Sequence, residues 1–196
     1  MTKLNTFQQV RELSDWRAKV FACALVERML PNYQLFCEAT SFSDATDMSN
    51  LVNILWEVVL NPKTKINYSV QLEKIEEATP DVQDFDNYGV YPALDFSVAI
   101  EAAFNLFSGD DPQGAVVISK VSQGCVEAFI DATSDAELNS EDVKAHPVMR
   151  REIEFQQALL AQLNNMQRRE KEQLQAVRQF GKQDGMSNIG IAADTD

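Results

Sequence analysis

The chain has 196 residues, 45% of them apolar and 24% charged, with a net charge of −13 and a pI near 4.5. Length and composition fit a globular chain that buries a full core without a disulfide or metal staple. The negative balance repels nucleic-acid phosphates and anionic lipid, which excludes both as expected partners.

The first predicted element is a helix capped by Thr6. It runs through "FQQVRELSDWRAKVFACALVERML", with Leu13, Trp16, Val20 and Cys23 at three- and four-residue steps, and Pro31 ends it. A second, short helix starts from Pro31 as "PNYQLFCEA". In "DMSNLVNILWEVVL", Met48, Leu51, Val52, Leu55 and Val59 form one apolar face, and "NPKTK" is a turn. Asn67 then caps "YSVQLEKIEEA", which stops before Pro80.

The stretch "DFDNYGVYPALD", residues 84–95, carries most of the skeleton of an EF-hand calcium loop. Tyr88 stands where the fifth ligand belongs, Pro92 stiffens the ninth position, and Asp95 is one methylene short of the bidentate glutamate. The expectation is therefore no metal site but a turn: Asp84 and Asp86 as turn formers, then Pro92 in the first turn of a helix. In that helix, "PALDFSVAIEAAFNLF", the residues Ser97, Glu101, Asn105 and Ser108 make one polar stripe. Asp95 falls instead in line with Ala99, Ala102 and Leu106, where a carboxylate is costly unless bonded. One account has Asp95 accepting backbone N–H bonds in the first helical turn, so that its removal costs about 1–3 kcal/mol. The other has Asp95, Tyr88 and Tyr91 lining a polar pocket at the helix start.

"GAVVISKVSQGCVEAFI" puts Lys120, Gln123, Glu127 and Asp131 on a polar stripe, and Gly124 implies close approach of another helix. The acidic stretch 132–146 is the best candidate boundary within an otherwise single domain. From Pro147 one long helix is predicted to about Gly181, some 50 Å at 1.5 Å per residue, against roughly 40 Å for a compact domain of this length. It must kink, protrude or pack on a partner. Its apolar stripe (Val148, Phe155, Leu159, Leu163, Met166) lapses through "QRREKEQ" and resumes weakly at Leu174 and Val177. The first half is expected in the core. The second half is expected at the margin, covered by the non-helical tail 182–196, with its "SNIGI", or by a second copy of the chain.

Signals for chemistry are few. Cys23, Cys37 and Cys125 are odd in number, widely spaced and set among apolar neighbours, which points to buried thiols in a reducing compartment rather than a zinc site. His146 is the only histidine and precedes Pro147, the place of a cap or turn. It cannot form HExxH, and the chain has no glycine-rich phosphate loop and no GxSxG. No cofactor is implied. Residues 1–30 show no secretory signal, and no run approaches the 18 or so apolar residues of a membrane span.

The runs "ERMLPNYQLFCEAT", "QLEKIEEATPDVQDFDNYGVYPALD" and "SNIGI" resemble the YjaG-like family of uncharacterised bacterial proteins, a domain family of unknown function. The resemblance spans about Leu4 to Ile191. It implies an all-helical, cytoplasmic, single-domain bacterial protein and carries no activity or site residues with it. Two function classes follow from the residues. One is a non-enzymatic interaction or structural helical protein, binding another protein or itself through the C-terminal helix. The other is a small-molecule-binding protein or enzyme that uses Tyr88, Tyr91 and Asp95.

Overall fold

The computed structural model describes residues 5–182 and 185–192; of the tail 182–196, residues 183–184 and 193–196 lie outside that description. Nine α-helices and no strand occur among the described residues, so the all-α multi-helix bundle expected from periodicity is what the chain forms.

The N-terminal run is cut earlier and extends further than its sequence pattern implies. Helix α1 spans Thr6–Arg11 and α2 spans Asp15–Thr40. The α1 cap is Asn5 rather than Thr6: its side chain accepts from Gln8 N at 2.9 Å, and the Gln8 side chain in turn accepts from Asn5 N at 3.0 Å. Pro31 does not end α2 but lies inside it. An internal proline forfeits a backbone bond and crowds the carbonyl four residues back. Here Val20 to Met29 before it and Tyr33, Phe36 and Cys37 after it are all buried, and that shared packing outweighs the local cost.

Helix α3 (Ala45–Leu60) is capped by Asp44, and α4 (Tyr68–Glu77) by Asn67, as its sequence implies. Helix α5 (Val90–Ser108) lies between α2 and α6 (Gly114–Thr133), with α3 and α4 also against it. By length and composition α5 could cross a membrane, at mean hydropathy 1.2, contrary to the expectation that no run comes close. Two thirds of that window (67%) is buried inside the fold, which accounts for its apolar character. Gly114 is what lets α6 start so near α5: a Cβ there would lie 2.6 Å from Ala102 O and 2.8 Å from Leu106 Cβ. At Gly124, where close approach is expected, a Cβ would meet nothing within 4 Å. The polar stripe of α5 also differs, because Ser97 is buried with its hydroxyl donating to Ala93 O at 3.1 Å, while Val98 faces outward.

The long C-terminal helix is two helices. After the short α7 (Ser140–Ala145) come α8 (Pro147–Asn165) and α9 (Lys171–Lys182), separated within the polar "QRREKEQ" where the apolar stripe lapses. His146 caps α8, its Nδ1 accepting from Val148 N at 3.3 Å. The break lets α9 fold back on α2 and α3, burying Leu174 and Val177. Gly181 sets the approach: a Cβ would lie 3.0 Å from Ala24 O and 3.2 Å from Ala24 Cα. The apolar face of α9 thus packs on α2 and α3 of its own chain.

The tail packs elsewhere. Ile189 joins Val126, Ile130, Val143 and Met149 in a second apolar cluster around α6, α7 and α8. Arg151 clamps it, its Nη2 donating to Ser187 O and Asn188 O at 3.1 and 3.2 Å. Asn188 is fully buried, accepting from Asn32 Nδ2 at 2.9 Å and donating to Ser122 O at 3.2 Å. Beneath it Glu152 accepts from Arg28 Nε at 2.8 Å, Ser122 Oγ at 2.7 Å and Gln156 Nε2 at 2.9 Å, and Arg28 and Glu152 are both 0% exposed. Buried charges need such multiple bonds to offset their desolvation.

Candidate functional site

The opening of α5 decides what residues 84–95 become. A one-turn 3₁₀ segment, Val82–Asp84, is followed by extended Phe85, whose ring packs edge-on against Phe36 and Phe42 at 4.9 and 5.5 Å. Helix α5 then begins at Val90, the seventh residue of the stretch, with Pro92 in its first turn. Half of the supposed calcium loop is therefore helix. Asp84 and Asp86 remain exposed, and Asp95 is carried along α5 beyond its first turn.

Asp95 is accordingly not a helix cap. It lines an open groove of about 430 Å³ between α5 and α6, together with Tyr88, Tyr91 and Leu94 on one side and Val121, Gly124 and Ala128 on the other. The structure thus brings together the three residues singled out by the sequence. Tyr88 and Tyr91 stand with ring centroids 5.8 Å apart at 44°, and Tyr88 leans on Phe129 at 6.4 Å. Tyr91 is 52% exposed. The bare Gly124 backbone leaves the floor open.

Burial holds the Asp95 carboxyl above the usual carboxylate range, partly offset by a hydrogen bond from the Cys125 thiol. The same burial, reinforced by the Asp95 charge, pushes the Cys125 thiol well above its ordinary value, which favours its protonated form. Tyr88 is pushed up to about 12, first by burial and then by its electrostatic interactions with Cys125, Asp95 and Asp131. Cys125 also interacts with the Asn188 side chain. A polar chain therefore leads from the groove inward through Cys125 and Asn188 to Ser122, Glu152 and Arg28.

Leu94 is shared with a second, larger groove of about 840 Å³ between α4 and α5. Its polar walls include Glu73, Glu76, Asp81 and Glu101, and no lysine or arginine lines either groove among the described residues. Only the packing of α4 on α5 aligns Glu76 with Glu101. Cys125 and Asn188 go unnoticed as partners of the site. The one signal for them is a pair of isoleucines in an otherwise polar tail, which marks "SNIGI" as a segment with something to bury. Chemically, the grooves offer carboxylates, two phenol rings and an apolar floor, a combination suited to holding a cation.

The chain belongs to the family described as "Protein of unknown function (DUF416)", whose model matches residues 5–192. It is similar to the "Uncharacterized protein YjaG" of Escherichia coli (strain K12), with 35% identity over 184 residues covering 93% of this chain and 94% of the relative. An uncharacterized protein of Haemophilus influenzae is 32% identical over 186 residues, covering 94% of this chain and 95% of that one. The crystal structure of a DUF416 family protein from Shewanella baltica OS155 superposes with a TM-score of 0.92 at 37% identity, over 97% of this chain and 100% of that chain. The family is bacterial in these relatives, and its function is unknown.

Proposed function

We propose that the protein is a non-enzymatic interaction protein that docks a basic, partly apolar segment of a partner protein along the outward face of α5. The observation that carries this is the composition of that face. Tyr91 and Val98, 52% and 39% exposed, lie two turns apart with Leu94 between them, and grooves walled by carboxylates flank them. Exposed apolar side chains in line on one helix mark a contact surface. The carboxylates beside them favour a partner rich in lysine or arginine over an acidic one, and a net charge of −13 steers such a partner in. The apolar residues Leu174 and Val177 of α9 are already buried within the chain, which favours α5 over α9 as the contact surface. A reducing compartment belongs to the same reading, supported by three buried free thiols.

The test is affinity capture from the native bacterium with wild-type protein and with Val98→Asp, the captured proteins being identified by mass spectrometry. Val98 is exposed, so the fold should tolerate the change. The expected result is a basic protein retained by wild type, released by raised salt, and missing from the variant. Identical captured sets would overturn the proposal.

A further inference from the structure

We infer that Tyr88, Tyr91 and Asp95 form a receptor for an alkylammonium group, supplied by a lysine side chain of the docked partner. The inference rests on the docking proposal above and names the chemistry of its anchor. A cation is attracted to the face of an aromatic ring when it lies within about 6 Å of the centroid. With centroids 5.8 Å apart and planes inclined at 44°, Tyr88 and Tyr91 can serve one ammonium between them. Asp95 follows Tyr91 by one helical turn and lines the same groove as both rings, and its charge and that of Asp131 both act on Tyr88. No cationic side chain of the groove competes for them.

The way Asp95 is held argues in the same direction. It is only partly exposed, on a wall shared with Leu94 and Val121, and it accepts from the Cys125 thiol, a weak donor. A carboxylate in this setting has spare acceptor capacity and gains more from an incoming ammonium than a fully hydrated one does. The floor has room for the methylene stem, because nothing lies within 4 Å of where a Gly124 Cβ would be, and Ala128 is the next small residue one turn on. A lysine is a long apolar stem ending in a compact cation, which matches an apolar floor leading to a carboxylate and two rings.

The experiment is an amide NMR titration of the full chain with n-butylammonium, the lysine side-chain analogue, and with 1-butanol as its uncharged counterpart. Shifts should move in residues of the Tyr88–Asp95 turn and around Gly124 with butylammonium, and 1-butanol should bind at least about tenfold more weakly. Asp95→Asn keeps the shape and should weaken butylammonium by about tenfold. Gly124→Leu fills the floor and should abolish binding while the protein folds normally. Equal binding of the two probes, no binding, or shifts confined to the Glu73 and Glu76 groove would each overturn the receptor. Partner capture separates the two proposals. If it survives Asp95→Asn and fails in Val98→Asp, docking stands and the ammonium anchor is wrong. If butylammonium binds at the rings while capture ignores both changes, docking and the lysine source are both wrong, and the rings serve a small free cation.

Discussion

Replacing Glu152 with alanine should be among the most damaging single changes in this chain. The carboxylate is 0% exposed and receives three hydrogen bonds, from Arg28 Nε at 2.8 Å, Ser122 Oγ at 2.7 Å and Gln156 Nε2 at 2.9 Å. Its removal takes one buried carboxylate away from a guanidinium that is stacked 4.1 Å over the Phe155 ring. Breaking a buried pair from one side costs about 3–5 kcal/mol, because the remaining charge stays desolvated. The Ser122 and Gln156 losses are partly absorbed: Ser122 Oγ still accepts from Asn188 at 3.2 Å, and Gln156 Nε2 still has Ser119 O at 3.4 Å. A loss of about 3–5 kcal/mol is a large part of a typical total of about 5–15 kcal/mol. Urea unfolding at neutral pH should show it as a midpoint lowered by roughly 1–2 M at unchanged slope. The double variant Arg28→Met with Glu152→Leu removes both charges and should regain more than half of the loss, an interaction energy that a double-mutant cycle measures. A single-variant loss under about 1 kcal/mol, or a double variant no more stable than Glu152→Ala, would refute the view that this pair bolts α2 to α8.

Three more outcomes are expected. Asp95→Asn should not destabilise the protein at neutral pH. Burial raises the folded carboxyl above its ordinary 3.8, so its stability contribution is complete below 3.8 and is lost as pH rises through the folded value. The variant should therefore match wild type in acid and exceed it at neutral pH by up to about 1 kcal/mol; a neutral-pH loss in thermal melts would contradict this and revive the capping account. Gly181→Ala and Gly124→Ala should have opposite signs. The first presses a Cβ to within 3.0 Å of Ala24 O and costs about 1 kcal/mol net of its helix propensity, while the second meets nothing within 4 Å and gains about 0.5–1 kcal/mol; denaturation midpoints shifted the same way would refute the contrast. Asn188→Ala should cost about 2 kcal/mol and speed amide exchange in the second half of α6, since it cuts the bonds to Asn32 and Ser122; unchanged exchange would mean that the tail is not held there.

How much of this was legible beforehand depended on whether the deciding interaction was local. The Asn67 and His146 caps, the burial of all three thiols, the all-helical class and the lapse at "QRREKEQ" follow from near neighbours in sequence, and the structure agrees with each. Tyr88, Tyr91 and Asp95 could be grouped because they sit within eight residues of one another. The misreadings share a cause in long-range packing. Pro31 stays helical because α2 is packed and buried on both sides of it, with α5 and α9 among its neighbours, which no local preference encodes. Gly124 reads as the point of close approach and Gly181 as a helix end, yet of the two only Gly181 faces another helix, because the break after Asn165 turns α9 back onto α2. Asp95 reads first as a cap while the helix is taken to start at Pro92, and only the start at Val90 carries it past the first turn. By itself the sequence determined periodicity, caps and breaks, whose free energies are set within a turn or two of chain. Which faces meet, and so which carboxylates are left facing outward beside Tyr91 and Val98, was decided only when helices far apart in sequence packed together.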